Sequence, residues 1–135
     1  MHQIEIAYNK DLLNQCFHIQ TQNNIITDAP IDNYGNGSTF SPTDLVATAL
    51  GSCLLTIMGI ASKTHNINIE GSIAKVTKLM SKHPRRIGKI KVEINIPHKL
   101  QQKEKIILNK AAKGCPVHHS LHPDIHTEIN INYNY

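Results

Sequence analysis

Aromatic residues are scarce in this sequence, which has no tryptophan, two phenylalanines and four tyrosines among 135 residues. Isoleucine, leucine, valine and alanine must therefore supply the hydrophobic core of what the length predicts to be one domain, 1–135. Hydrophobic residues make up 40% of the chain and charged residues 18%. These fractions are typical of a globular protein.

A basic stripe is also missing. The formal net charge is +4, but the lysines are spread along the whole chain. The densest basic cluster, at 82–86, is short and contains no aromatic residue. Nucleic-acid binding usually needs a basic face or a recognisable module, so we expect no nucleic-acid partner.

No export signal precedes the first predicted strand, because the N-terminus lacks the basic region and apolar stretch of a signal peptide. The most apolar stretch, 45–61, is shorter than the roughly 20 apolar residues that a membrane span needs. We therefore expect a core helix, no membrane partner and a cytoplasmic location. In a reducing compartment, the three cysteines indicate thiol chemistry or simple burial, not a disulfide framework.

The first third of the chain has the pattern of a β-meander. Apolar residues alternate in three short runs, at 3–8, 16–19 and 25–27, which predict three strands. The segment 32–39 is rich in Gly, Asn and Ser, and we interpret it as a loop.

The clearest helix signal is Ser41-Pro42-Thr43-Asp44, with a capping serine, a proline at the first helical position and an acid at the third. The helix that follows is apolar on nearly every side, so it should be buried all round. One small domain with few aromatics could not cover it alone. We therefore expect a homodimer, with Gly51, Ser52 and Gly59 allowing close approach.

The second half predicts an α+β fold with antiparallel sheets around that long central helix. Strands are expected at 67–80, with Gly71 as a bulge, and at 87–96, ended by Pro97. An amphipathic helix follows at 100–112 and is closed by Gly114, and 115–121 indicates a turn or short helix. The last strand is expected at 125–135, with inward residues at Ile129, Ile131, Tyr133 and Tyr135.

Two of the three cysteines lie in notable positions. Cys53 falls on the apolar stripe of the long helix, where it could be a plain core residue or a reactive thiol activated by a nearby cation or donor. Cys115 stands between Gly114 and Pro116, where backbone N–H groups of a new helical turn, or a charged His118 or His119, would favour a thiolate. Cys16 lies in a predicted strand, and we expect a structural role.

Two other kinds of site are weakly indicated. Cysteine and histidine can bind zinc, but the spacing in the C-terminal cluster is irregular and no Cys-x-x-Cys pair is present, so we expect no metal. The cluster comprises Cys115, His118, His119, His122 and His126. The Gly-x-Ser-x-Gly elbow that would indicate a hydrolase is not present in the sequence. We also expect no cofactor.

The segment from Ser41 to Cys53, together with Cys115-Pro116-Val117, resembles the OsmC/Ohr family of osmotically inducible and organic-hydroperoxide-resistance proteins. The order of predicted elements agrees over nearly the whole chain. The resemblance implies an OsmC-like intertwined homodimer and a thiol peroxidase cycle with Cys53 and Cys115 as catalytic residues. Cys53 would reduce an organic hydroperoxide and become a sulfenic acid, and Cys115 would resolve it as a disulfide. An external dithiol, typically a protein-bound lipoyl group, would restore the thiols.

The sequence departs from the family's well-characterised peroxidases at the groups that support the reactive thiol. Their glutamate after the helix-start proline is Thr43 here, with Asp44 beside it. The arginine they carry near the N-terminus has no counterpart, since Arg85 and Arg86 are the first arginines in the chain. Either Arg85 or Arg86 supplies the cation, or the activation is weaker. The alternative function is a non-catalytic OsmC-like protein that binds a small ligand or senses redox state.

Overall fold

The N-terminal part of the chain forms a three-stranded antiparallel sheet. The computed structural model describes residues 1–133 and divides into two compact units, of which the first is Met1–Val46. Strands β1 (Ile4–Tyr8), β2 (Asn14–His18) and β3 (Asn23–Thr27) pair in the order β1-β2-β3. The predicted meander is confirmed.

Asp28 organises the loop that follows β3. Its carboxylate is buried, and Oδ2 accepts hydrogen bonds from the hydroxyl of Ser38 at 2.6 Å and from the Ser38 backbone N–H at 2.9 Å. These two bonds hold the pKa of Asp28 below its ordinary value. A short 3-10 turn, Ile31–Asn33, lies within this loop, and the predicted loop at 32–39 is otherwise irregular.

A capping box begins helix α1 (Pro42–His65). The Ser41 hydroxyl accepts a hydrogen bond from the Asp44 N–H at 3.1 Å, and the Asp44 carboxylate accepts one from the Ser41 N–H at 2.9 Å. Two backbone donors at the helix start are satisfied in this way. The start predicted from Ser41-Pro42-Thr43-Asp44 is confirmed, with aspartate in the place that glutamate usually takes.

The second unit begins at Ala47 and contains a mixed sheet. Its strands are β4 (Ile73–Ser81), β5 (Arg86–Ile96) and β6 (His126–Tyr133), in the order β4-β5-β6. Helices α2 (Gln102–Ala112) and α3 (Pro116–Ser120) connect β5 to β6. The α+β class is confirmed.

One strand pairing differs from expectation, because β6 runs parallel to β5 and not antiparallel. The two helices between these strands carry the chain back along the sheet, so β6 starts at the same end as β5. In this register Ile129 lies beside Val92 and Ile131 beside Ile94. Tyr135, predicted to point inward, lies outside the described residues.

The strand predicted at 67–80 starts later, at Ile73. The N–H of Ile67 still bonds the carbonyl of Ser62 at 2.8 Å, and the Asn68 side chain accepts a bond from the Glu70 N–H at 3.0 Å. Gly71 has φ +80°, which suits a turn. Gly71 is therefore a turn residue and not a bulge, and the register shift in β4 lies at 79–80.

The core of the second unit lies between α1 and one face of the sheet. Its fully buried side chains come from one stripe of α1 and from alternate positions of β5, namely Leu50, Leu54, Met58, Ile90, Val92, Ile94 and Ile96. Close packing requires Gly51, because a Cβ there would lie 2.7 Å from Cγ2 of Val76. The glycine thus lets the helix approach β4.

Within residues 1–133, the buried positions of α1 fall on that one stripe. Ile60, on another side of the helix, is 58% exposed. By length and composition alone α1 could also cross a membrane, since its most apolar 18-residue window has a mean hydropathy of 1.9 and is 33% buried. The helix predicted to be buried all round is therefore buried on one side within a single chain.

Candidate functional site

The structure brings the thiols of Cys53 and Cys115 together. Cys53 is half-buried in the middle of α1, whereas Cys115 is fully buried between α2 and α3. The two side chains are hydrogen-bonded to each other, and neither forms a disulfide. Two cysteines that are far apart in the sequence therefore meet at one point.

The chain holds Cys115 by two consecutive turns. The Gly114 N–H bonds the Ala111 carbonyl at 2.9 Å and ends α2. Cys115 then becomes the N-terminal cap of α3, and its sulfur accepts a hydrogen bond from the His118 N–H at 3.4 Å. Pro116 takes the first helical position, where its missing N–H costs nothing. The predicted turn or short helix is confirmed, with sulfur in the capping position.

Burial raises the pKa of the Cys115 thiol, and the hydrogen bond between Cys115 and Cys53 raises it further. The backbone N–H of His118 acts in the opposite direction but does not outweigh these effects. The sequence predicted that this N–H would favour a thiolate. The donor is present, but Cys115 stays protonated because its sulfur is out of water.

The two thiols differ in exposure. Cys115 is fully buried, whereas Cys53 is half-buried on α1. Of the two sulfurs, that of Cys53 is therefore the more accessible.

A second hydrogen bond fixes the short helix that follows Cys115. Nε2 of His118 lies 2.8 Å from the hydroxyl oxygen of Thr127 in β6. His118 thus contacts Cys115 through its backbone and the sheet through its ring. The sequence indicated His118 only as a charge near the thiol, since nothing in a single sequence shows that β6 runs parallel and brings Thr127 beside α3.

The predicted supporting residues lie at the start of α1 and near the β4–β5 turn. Asp44 caps the helix, and the hydroxyl of Thr43 is 3.2 Å from that of Ser41. Arg85 is in the turn before β5, and Arg86 forms a 3.7 Å ion pair with Asp124. The groups that set the pKa of Cys115 include no arginine. A role for any of the four in activating Cys53 stays a prediction.

The C-terminal histidines do not converge with Cys115. The ring of His119 bonds the Lys113 carbonyl at 3.0 Å, and that of His122 lies 3.7 Å from the carboxylate of Asp124. Within residues 1–133, no group of three His, Cys, Asp or Glu side chains is placed to hold a metal ion. Cys16 lies in β2, in the first unit, opposite Ile6 and Ile25.

Comparison with known proteins gives the family. Residues 35–130 match the family described as OsmC-like protein. The chain belongs to this family. A structure from Psychrobacter arcticus 273-4, described as a candidate osmotic stress induced and detoxification response protein, is 44% identical, has a TM-score of 0.93, and matches over 98% of this chain and 96% of that one.

More distant members share the fold. An OsmC-like protein from Mycoplasma pneumoniae is 20% identical, with a TM-score of 0.82 over 100% of this chain and 98% of that one. An organic hydroperoxide resistance protein OsmC from Legionella pneumophila is 12% identical, with a TM-score of 0.76 over 98% of each chain. No curated protein matches the sequence. The resemblance predicted from the Cys53 and Cys115 motifs is confirmed at the level of family and fold.

Proposed function

We propose that this OsmC-like protein is a thiol peroxidase that reduces organic hydroperoxides. The observation that carries the proposal is the contact between Cys53 and Cys115. Two reduced cysteines on separate elements already interact, as the formation of a disulfide between them requires. The choice of substrate is supported by the Legionella pneumophila protein of the same fold, which is an organic hydroperoxide resistance protein.

In the proposed cycle, the Cys53 thiolate attacks the terminal oxygen of the hydroperoxide. The O–O bond breaks, an alcohol leaves with a proton, and Cys53 becomes a sulfenic acid. The Cys115 sulfur then attacks the sulfur of Cys53, the S–O bond breaks, water leaves and a disulfide forms. An external dithiol, for which a protein-bound lipoyl group is our proposal, reduces this disulfide by two exchange steps and is itself oxidised.

The proposed roles follow from the burial of the two thiols and from the raised pKa of Cys115. Cys115 is fully buried and protonated, which suits a resolving thiol that must not react with peroxide first. Cys53 is half-buried on the helix, with Ile57 one turn away. An apolar setting of this kind favours hydroperoxides with a hydrocarbon group over hydrogen peroxide.

We also propose that the working form is a cytoplasmic homodimer. Its support is apolar surface that one chain leaves uncovered: Ile4 is 57% exposed and Ile6 64% exposed on β1, and Ile60 is 58% exposed on α1. Exposed apolar surface of this kind, present on each of the two units, is typical of interfaces. A reducing compartment would supply the dithiol that the cycle consumes.

The decisive experiment adds one equivalent of cumene hydroperoxide to the reduced protein, followed by intact-mass and peptide mass spectrometry. We expect a Cys53–Cys115 disulfide and cumyl alcohol in equal amounts. Cys53→Ser should abolish peroxide consumption. Cys115→Ser should consume one equivalent, leave a sulfenic acid that dimedone traps, and then stop.

The matched control is Cys16→Ser, which removes the third thiol and should leave turnover unchanged. If all thiols stay reduced while peroxide persists, the peroxidase proposal is wrong. That result would favour the second candidate function, a non-catalytic OsmC-like protein that binds a small ligand or senses redox state. The observation that favours this second candidate is that the groups that set the pKa of Cys115 include no arginine.

A further inference from the structure

A cavity of about 400 Å³ lies between α2, α3 and the edge strand β6. Its volume is within the range of small-molecule sites. Neither Cys53 nor Cys115 lines it. Among residues 1–133, its lining consists of Asn109, Ala112, Lys113, His118, Ile129 and Ile131. The cavity is thus distinct from the thiol pair and from the proposed peroxidase cycle.

One side of the cavity is apolar. Ile129 and Ile131 of β6 both line the cavity and are half-buried. Ala112 adds a methyl group from the end of α2. A ligand with a short hydrocarbon or aromatic part would cover this surface.

The polar side of the cavity offers hydrogen-bond donors and positive charge. The amide oxygen of Asn109 already accepts a bond from the hydroxyl of Tyr133 at 2.9 Å, so its NH₂ group is what remains for a ligand. Lys113 has an exposed side chain and forms no ion pair with any residue in 1–133. Nε2 of His118 is hydrogen-bonded to Thr127, and its other ring nitrogen, Nδ1, forms no hydrogen bond with any residue in 1–133.

Among the described residues that line the cavity, none is acidic. A donor amide and an ammonium beside an apolar floor are complementary to an anion that has an apolar tail, and a carboxylate accepts from both groups. We propose that this cavity binds small monocarboxylates, with the carboxylate between Lys113 and Asn109 and the tail on Ile129 and Ile131. Because His118 also bonds Cys115 through its N–H, the ligand would contact the helix that caps the thiol.

The test compares benzoate with benzyl alcohol, which has the same ring but no charge, by calorimetric titration of the full-length reduced protein. We expect saturable benzoate binding, roughly tenfold tighter than that of benzyl alcohol because a charge-assisted hydrogen bond is lost. Methyl NMR should place the shifts at Ile129 and Ile131. Equal affinity for the two probes, no saturable binding, or shifts confined to other methyl groups would overturn the proposal.

Two lysine variants separate a site from general charge attraction. Lys113→Met should weaken benzoate binding by about three- to tenfold, the loss expected for a partly exposed charge pair. Lys110→Met is the matched control, since Lys110 is also exposed on α2 but does not line the cavity. An equal loss in both variants would show non-specific attraction and overturn the proposal. Binding is measured without peroxide, so its failure is distinct from failure of the peroxidase cycle.

Discussion

The two three-stranded sheets of this protein have similar apolar sequences but opposite surroundings. In the C-terminal sheet, Ile90 and Ile94 are completely buried against helices, whereas on β1 of the N-terminal sheet Ile4 and Ile6 are more than half exposed. The N-terminal unit is held by hydrogen bonds around Asp28 and the C-terminal unit by apolar packing. Alternating isoleucines therefore indicate a strand, but they do not indicate what covers it.

The largest expected effect comes from truncating the same residue type in the two sheets. Ile94→Ala should lower the free energy of unfolding by about 2–5 kcal/mol, because it leaves a cavity in a closed core. Ile6→Ala should cost under about 1 kcal/mol in dilute protein, since its side chain already contacts solvent. Denaturant titrations followed by circular dichroism measure both.

Protein concentration sharpens this comparison. If the homodimer proposal holds, Ile6→Ala should raise the concentration needed for dimerisation, as measured by light scattering after gel filtration, while Ile94→Ala should affect mainly stability. If Ile6→Ala left the concentration needed for dimerisation unchanged, the view that a second copy covers the N-terminal sheet would be wrong.

A smaller effect on stability is expected when a methyl group is added at a glycine on either of two sides of α1. Gly51→Ala places a Cβ 2.7 Å from Val76 and should destabilise by about 1–3 kcal/mol, the usual cost of overpacking. Gly59→Ala meets no atom within 4 Å and should stabilise by about 0.5–1 kcal/mol through helix propensity. Thermal unfolding of the two variants distinguishes them. A loss at Gly59 as large as that at Gly51 would mean that another surface packs there in the assembled protein.

Local signals in the sequence predicted most of the fold. The capping box at Ser41, the three-strand meander and the closure of α2 at Gly114 all depend on neighbours within a few residues, and each is confirmed. The parallel pairing of β6 could not be predicted, because it depends on how the α2–α3 connection crosses the sheet. Gly71 was predicted to be a bulge but is a turn residue. A glycine in the sequence is compatible with either, because both a turn and a bulge can use its positive φ.

The candidate site was predicted in part. Motif resemblance paired Cys53 with Cys115, and the structure brings them together. The protonation state of Cys115 was not predictable, because it depends on burial that only the packed chain reveals. The bond from His118 to Thr127 was not predictable either, because it joins two elements whose register no local pattern specifies.

The smallest expected effect concerns pH and the polar loop of the N-terminal unit. The pKa of Asp28 is lowered in the folded protein by the Ser38 hydroxyl and then by the Ser38 N–H. A carboxyl whose folded pKa is lowered contributes stability that is present above its unfolded pKa, about 4, and is lost as the pH falls towards the folded value. The N-terminal unit should therefore loosen as the pH falls below about 4.

Asp28→Asn should flatten that pH dependence, because the amide cannot titrate, while Ile94→Ala should shift stability without changing the slope. Denaturant titrations at a series of acidic pH values, with the amide signals of Ser38 followed by NMR, provide the measurement. Asp11→Asn is the matched control, since Asp11 is an exposed acid of the same unit. Asp11→Asn could instead flatten the pH dependence of stability as much as Asp28→Asn. General charge, and not the Ser38 contacts, would then govern the loop. The contrast between a polar N-terminal unit and an apolar C-terminal unit would be wrong.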